Sequence, residues 1–176
     1  RATHVPEMKD YLSTYASDEI VVVSSGDGTT SQGEFWEALN TACTLKLPVL
    51  FVIEDNKYAI SVPVEVQTAG GNISRLLTGF AGHKIAECDG TDVIETYRTA
   101  GELVEYCRSR QGPALLHAHC VRPYSHWMSD DEKAYRSKEE LEEQERQDPL
   151  GKMRALLLDG LEGHGRATRE QELDAI

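Results

Sequence analysis

Two stretches decide the fold of this chain: Gly26–Asn40, which reads GDGTTSQGEFWEALN, and Leu47–Ser61, which reads LPVLFVIEDNKYAIS. An apolar run, Ile20–Ser24 (IVVVS), precedes the first stretch, and a second run, Val49–Ile53 (VLFVI), lies inside the other. Apolar runs rich in β-branched residues predict parallel strands that are covered on both faces. We therefore expect two buried parallel strands joined by a crossover helix.

The rest of the chain alternates predicted helices and strands. Apolar residues at helical spacing predict the crossover helix over Gln32–Lys46, which Pro48 ends. A short helix over Ile73–Phe80 and a strand over Lys84–Cys88 are predicted next. They are followed by a helix over Asp92–Arg110, whose apolar stripe consists of Val93, Tyr97, Ala100, Val104 and Cys107. The remaining predicted elements are a strand over Ala114–Val121 and helices from Ser137, over Pro149–Leu161 and from Thr168. This order predicts an α/β fold of three layers, with a mainly parallel sheet and helices on both faces.

Composition limits the domain count and the classes of partner. With 176 residues, of which 40% are hydrophobic, the chain is expected to form one domain over residues 1–176, incomplete at its amino end, with residues 137–176 as a helical extension. The net charge of -12 and the lack of a Lys/Arg stripe argue against a nucleic-acid partner. No apolar run reaches about 18 residues, so no membrane partner is expected.

The four cysteines are predicted to be free. Cys43, Cys88, Cys107 and Cys120 are widely spaced, form no C-x-x-C pair and lie in apolar stretches. Free thiols indicate a reducing compartment, and the bacterial cytoplasm is the expected one, with the mitochondrial matrix as the alternative.

One acidic and one amide side chain follow the two buried strands. Asp27 comes after the first strand and Asn56 after the second. Parallel strands joined by one crossover end at the same edge of the sheet, where open α/β folds bind ligands. Oxygen ligands of this kind suit Mg²⁺, which completes its octahedron with water and phosphate oxygens. The glycine-flanked Asp27 taken alone is equally typical of a tight turn.

The turn after the first strand also suits a diphosphate. Gly28 has no side chain to block close approach, and the backbone N–H groups of Thr29–Gly33 lie at the start of the crossover helix. The partial positive charge of a helix amino terminus favours phosphate. Metal and diphosphate are therefore expected to share one pocket.

The two stretches together resemble the thiamin-diphosphate motif, which begins at Gly-Asp-Gly and closes on an asparagine after the next strand. Over Ile20–Leu158 the chain is similar to the alpha subunit, or alpha half, of the decarboxylating component of 2-oxo acid dehydrogenase complexes, of the branched-chain or pyruvate type. The resemblance implies the thiamin-diphosphate-binding fold. Ser129–Asp131 and Ala134–Ser137 favour the branched-chain type.

The resemblance also implies the roles of individual residues. Asp27 and Asn56 would bind Mg²⁺ by their side chains, and Tyr58 by its backbone carbonyl. The other expected contacts of thiamin diphosphate are Gly26, Gly28, Thr29 and Ile60. Asp55 stands where many relatives have asparagine and is not expected to be a ligand.

A second match is Arg122–Asp130 (RPYSHWMSD) with Tyr135–Arg136, which resembles the active-site loop of the family. His126 takes the place of the histidine near the thiazolium ring of the cofactor, and it is the expected catalytic residue. Near neutral pH a histidine can donate or accept a proton, or bind a carboxylate. A surface histidine in a mobile loop is the alternative.

In the resembling enzymes, thiamin diphosphate decarboxylates a 2-oxo acid and the acyl group passes to a lipoyl arm. The expected partners are a pyrimidine-binding beta subunit or beta half, a lipoyl-bearing acyltransferase and the 2-oxo acid. The chain by itself is expected to bind cofactor weakly and to be inactive. A transketolase-like enzyme and a non-catalytic assembly module of the same fold are the alternatives.

Two further features have competing interpretations. His117 and His119 share one face of a predicted strand, which suggests a metal pair, but no third ligand is evident and structural histidines are favoured. The acidic helix that begins at Ser137 is expected to be a solvated face, and a docking surface is the alternative.

Overall fold

The structure, a computed structural model, describes residues 18–175. Its strands are β1 (Val21–Gly26), β2 (Val49–Asp55), β3 (Tyr58–Ala59), β4 (Val62–Pro63), β5 (Lys84–Asp89) and β6 (Ala114–His119). Its helices are α1 (Gly33–Leu45), α2 (Val64–Gln67), α3 (Ile73–Leu76), α4 (Val93–Arg108), α5 (Lys138–Arg146), α6 (Pro149–Leu158) and α7 (Gly163–Asp174). Short 3₁₀ turns connect several of these elements.

The main sheet has four parallel strands in the order β1-β2-β6-β5. In β1 and β2 the register pairs Gly26 with Glu54, so both strands end at the same edge. β3 and β4 form a small antiparallel hairpin directly after β2. The α/β class predicted from the sequence is confirmed, and the hairpin lies at the edge where the candidate site was expected.

Helices cover both faces of this sheet. On one face, Phe35 and Leu39 of α1 pack with Phe51 and Ile53 of β2. On the other face, Leu103 of α4 and its neighbour Cys107 pack against side chains of β2, β5 and β6. The alternation of side chains along a strand separates the two clusters, and both Leu39 and Leu103 are fully buried. The predicted three-layer arrangement is therefore confirmed.

The prediction that β1 is covered on both faces is wrong for the described part of the chain. Val21, Val22 and Val23 are 55%, 57% and 42% exposed. The reason is the place of β1 at the edge of the sheet: among residues 18–175, the two clusters that cover the faces are built on β2, β5 and β6, and no residue of β1 belongs to either. An apolar, β-branched run predicts an extended strand, but it carries no information about the position of that strand in the sheet.

Three details of the helices can be compared with the sequence pattern. The predicted stripe of α4 is partly wrong, because Tyr97 is 79% exposed and the buried face runs through Leu103. The last helix begins at Gly163 instead of Thr168, so the predicted start at Thr168 lies inside the helix. The predicted cap at Ser137 is confirmed, since its side chain accepts a hydrogen bond from the backbone N–H of Glu140. No helix among residues 18–175 is both long and apolar enough to cross a membrane.

Candidate active site

A cavity of about 440 Å³ opens at the carboxyl edge of β1 and β2. Every site residue predicted from the sequence lines it, together with two residues that were not predicted, Gln32 and Ala59. The lining residues are Gly26, Asp27, Gly28, Thr29, Gln32, Asn56, Tyr58, Ala59, Ile60 and His126. The fold therefore brings the two motif turns and the histidine loop to one place.

The first turn presents Asp27 from a 3₁₀ turn that follows β1 directly. The hydroxyl of Thr30 donates to the backbone carbonyl of Asp27 at 2.7 Å and closes this turn. The turn packs closely on the β3–β4 hairpin, because a Cβ on Gly28 would lie 2.8 Å from the Cβ of Ala59. Glycine is thus required at position 28 by the close approach of two backbone segments.

The carboxylate of Asp27 is only 2% exposed and accepts a hydrogen bond at Oδ2 from Nε2 of Gln67, at 2.7 Å. Burial raises the pKa of Asp27, and the nearby carboxylate of Asp55 raises it further. Within residues 18–175, Asp27 has no ion-pair partner at salt-bridge distance. A buried carboxylate in this position calls for a cation, and so the donor set fits a metal ion.

The second turn presents Asn56 between two hydrogen bonds that hold the backbone. The backbone N–H of Lys57, which has a φ of 71°, donates to Oδ1 of Asp55 at 2.8 Å. The N–H of Tyr58 donates to Oδ1 of Asn56 at 3.2 Å. This contact identifies Oδ1 as the amide oxygen and leaves it one lone pair for a cation.

The loop that carries His126 is attached to the hairpin. Arg122 donates to the backbone carbonyl of Ile60 at 2.9 Å and to the hydroxyl of Tyr135 at 2.6 Å. Oδ2 of Asp130 accepts from that hydroxyl at 2.6 Å and from the backbone N–H of His126 at 2.8 Å. The hydrogen bond from Tyr135 lowers the pKa of Asp130, and the N–H of His126 lowers it further. The ring of His126 itself is exposed at the cavity.

A second polar cluster lies beside the cavity, where Asp55, His117 and His119 offer ligand atoms within 4.8 Å of one another. The sequence alone showed no third ligand for the histidine pair, but the structure brings Asp55 beside the two histidines as a third candidate ligand. However, Nζ of Lys57 lies 2.8 Å from Oδ2 of Asp55 and 3.1 Å from Nδ1 of His119. The ammonium group therefore occupies the place of a cation, which favours the structural interpretation of both histidines.

The outer nitrogens of the two histidines are also engaged. Ser74 lies 2.8 Å from Nδ1 of His117, and Glu87 lies 2.8 Å from Nε2 of His119. Burial alone raises the pKa of Asp55, but the hydrogen bonds from His117 and Lys57 outweigh it and hold the pKa well below its usual range. The network fixes the turn that precedes Asn56.

Three contributing residues were missed from the sequence. Gln32 and Ala59 were detectable in principle, since Gln32 immediately precedes the crossover helix and Ala59 lies between two predicted contacts. Gln67 gave no signal, because its contact with Asp27 depends on the hairpin and on α2, a helix of four residues.

Comparison with known proteins supports the same interpretation. The dehydrogenase E1 component family matches residues 11–175. The 2-oxoisovalerate dehydrogenase subunit alpha of Bacillus subtilis (strain 168) is 41% identical over 133 residues, which cover 76% of this chain and 40% of that protein. The pyruvate dehydrogenase E1 component subunit alpha of the same strain is 37% identical over 158 residues, 89% of this chain and 41% of that protein.

A third relative is the 3-methyl-2-oxobutanoate dehydrogenase subunit alpha of Mycobacterium tuberculosis (strain CDC 1551 / Oshkosh), which is 37% identical over 142 residues, 81% of this chain and 38% of that protein. The chain thus spans about 40% of the length of these curated relatives. The predicted resemblance to alpha subunits of 2-oxo acid dehydrogenases is confirmed. Because the family match extends over nearly all of the chain, this protein belongs to the dehydrogenase E1 component family.

Proposed function

We propose that this chain supplies the magnesium and diphosphate half of the thiamin diphosphate site in an enzyme that oxidatively decarboxylates a 2-oxo acid and transfers the acyl group to a lipoyl carrier. One observation carries the proposal: Asp27, Asn56 and His126, which are far apart in sequence, line the same cavity. The family membership supplies the class of reaction.

The metal ligands in this proposal are Asp27 and Asn56 through their side chains and Tyr58 through its backbone carbonyl. Such a set brings one negative charge, so Mg²⁺ would complete its octahedron with water and diphosphate oxygens. The buried Asp27, whose pKa is raised by burial, gains a cationic partner in this arrangement. The metal and the cofactor therefore support each other's binding.

The diphosphate would lie against the turn from Gly26 to Thr29 and the start of α1. The side chain of Gln32 forms no capping hydrogen bond and so does not compete with an anion for the N–H groups of Gly33 and Glu34 at the start of α1. Gly28 keeps the turn free of a side chain, and Ile60 lines the cavity from the hairpin. The backbone thus provides donors where phosphate oxygens need them.

Thiamin diphosphate, when bound, supplies the carbon nucleophile and the electron sink for the decarboxylation. His126 is the catalytic residue of this chain in our proposal, with a ring that can hold a proton or bind the carboxylate of the substrate. The hydrogen bond from its backbone N–H to Asp130 fixes the position of the loop without using the ring nitrogens, and the ring itself packs edge-on against Trp127. The chain's own contribution is therefore to bind, orient and exchange a proton.

The remaining requirements concern the parent enzyme. The activating pyrimidine contact would come from a beta subunit or beta half, and the acyl group would pass to a lipoyl-bearing acyltransferase, so the isolated chain should be inactive. We propose that residues 1–176 belong to one domain with residues 137–176 as a helical extension. The free thiols and bacterial relatives support a reducing compartment such as the bacterial cytoplasm.

The family match favours a dehydrogenase over a transketolase-like enzyme. Relatives that act on branched and unbranched 2-oxo acids have similar identities to this chain, and the motifs around Asp130 favour the branched-chain type. A non-catalytic assembly module would have no need to keep Asp27, Asn56 and His126 together at one cavity.

The proposal is tested by calorimetric titration of thiamin diphosphate, with and without Mg²⁺, into the complete enzyme. We expect Asp27→Ala and Asn56→Ala to abolish the magnesium-dependent heat. Asn40→Ala is the matched control, because Asn40 is exposed on α1, and it should bind like the wild type. Equal heats in all four proteins would overturn the proposed site.

A further inference from the structure

Gln67 connects the two halves of the candidate site. It is the last residue of α2, which follows the Asn56 turn and the hairpin, yet its side chain reaches Asp27 on the other turn. Nε2 of Gln67 donates to Oδ2 of Asp27 at 2.7 Å, and Oε1 accepts from the hydroxyl of Ser31 at 3.0 Å. One carboxamide thus bridges both ends of the Asp27–Ser31 turn.

The orientation of this carboxamide follows from its two partners. The carboxylate of Asp27 accepts and therefore meets the amide nitrogen, which leaves the amide oxygen for the hydroxyl of Ser31, a group that can donate or accept. Within residues 18–175, this is the one side-chain hydrogen bond that the carboxylate receives, and it engages Oδ2. No side chain among residues 18–175 donates to Oδ1 of Asp27, while the backbone N–H groups of Asp27 and Asn56 also hydrogen-bond this carboxylate.

We propose that Gln67 is a positioning residue for the metal: it fixes the rotation of the Asp27 carboxylate so that Oδ1 is presented to Mg²⁺. The inference rests on the proposed function, in which Asp27 is a ligand. Partners of this kind, which touch a ligand and not the ion, typically change metal affinity by about 10- to 100-fold when they are removed.

The side chain of Gln67 can be changed without removing the anchors of α2. Val64 is 2% exposed, and its backbone N–H donates to the carbonyl of Lys57 at 2.8 Å. Thr68 is 5% exposed, and its N–H donates to the carbonyl of Val64. The backbone of this segment is therefore held independently of the Gln67 carboxamide.

The test compares Gln67→Leu with the wild type in the complete enzyme, since leucine keeps similar bulk but neither donates nor accepts a hydrogen bond. At saturating thiamin diphosphate, the dissociation constant of Mg²⁺ is expected to rise by about 10- to 100-fold. Ser31→Ala should raise it less, because it frees the carboxamide and leaves the contact with Asp27 intact. The exposed Gln171→Leu is the control and should have no effect.

A spectroscopic readout separates positioning from general damage. With Mn²⁺ in place of Mg²⁺, electron paramagnetic resonance should show an altered zero-field splitting in Gln67→Leu and an unaltered one in Gln171→Leu. The positioning role would be overturned if Gln67→Leu and Ser31→Ala both kept the wild-type Mg²⁺ affinity and the wild-type spectrum. If Asp27→Ala lost metal binding in the same experiment, the proposed function would still stand. Retention of binding in Asp27→Ala as well would overturn both.

Discussion

The substitution Gly28→Ala is expected to separate the two turns of the site. The new Cβ would lie 2.8 Å from the Cβ and 3.3 Å from the Cα of Ala59. Carbon atoms pack best at about 3.5–4.0 Å, so the segments must move apart by roughly 1 Å. No rotamer change can relieve the contact, because these atoms belong to the backbone or are fixed to it.

We expect this movement to cost about 1–3 kcal/mol of unfolding free energy, the usual range for overpacking. A shift of roughly 1 Å between catalytic groups can also lower turnover about 100-fold. Urea denaturation of the chain and turnover of the complete enzyme in the proposed 2-oxo acid decarboxylation measure the two effects. Gly101→Ala is the matched control, since Gly101 lies exposed in α4, away from the cavity, and a Cβ there meets no atom within 4 Å. If Gly28→Ala matched Gly101→Ala in both assays, the close approach of the turns would be refuted.

Four further outcomes are expected. His117→Ala should lower the unfolding free energy by about 3 kcal/mol, because it removes a hydrogen-bond partner from the buried carboxylate of Asp55. His126→Ala is the control, since His126 is exposed and its loss should leave stability unchanged. Equal urea midpoints for the two variants would contradict the buried network. Burial raises the pKa of the Cys120 thiol to about 11 from an ordinary 9.0. At pH 8, Cys120 should therefore react with iodoacetamide roughly 100-fold more slowly than an ordinary thiol. Rapid labelling of Cys120 in the folded protein would contradict the raised pKa. The same shift should reduce stability as the pH rises from 9 towards 11, because the unfolded thiol ionises first. Asp130→Ala should speed chymotryptic cleavage within the loop after Tyr124 or Trp127, because two hydrogen bonds that hold the loop are lost, and a rate equal to that of Ser129→Ala would contradict the role of Asp130.

The sequence was sufficient to predict the part of the site that depends on strand order and local turns. Asp27 and Asn56 each follow an apolar strand, and parallel strands joined by one crossover end at the same edge. The resemblance of the Arg122–Asp130 loop added His126. These predictions depend on features within one strand-turn unit or on a recognised motif, and the structure brings all three residues to one cavity.

Other features could not be predicted, because they depend on contacts between distant segments. Gln67 lies 40 positions from Asp27, and neither residue type nor spacing indicates the contact. The cluster of Asp55, His117 and Lys57 forms across β2 and β6, so a strand pattern alone shows only the histidine pair. The exposure of β1 depends likewise on its place at the edge of the sheet, which the periodicity of one strand does not record.

The most direct test of the central claim is anomalous diffraction from crystals of the complete enzyme grown with Mn²⁺ and thiamin diphosphate. Our account predicts one peak about 2 Å from a carboxylate oxygen of Asp27 and equally close to Oδ1 of Asn56, with the carbonyl of Tyr58 also in the coordination sphere. A peak at the Asp55 and His117 cluster with none between Asp27 and Asn56 would contradict it.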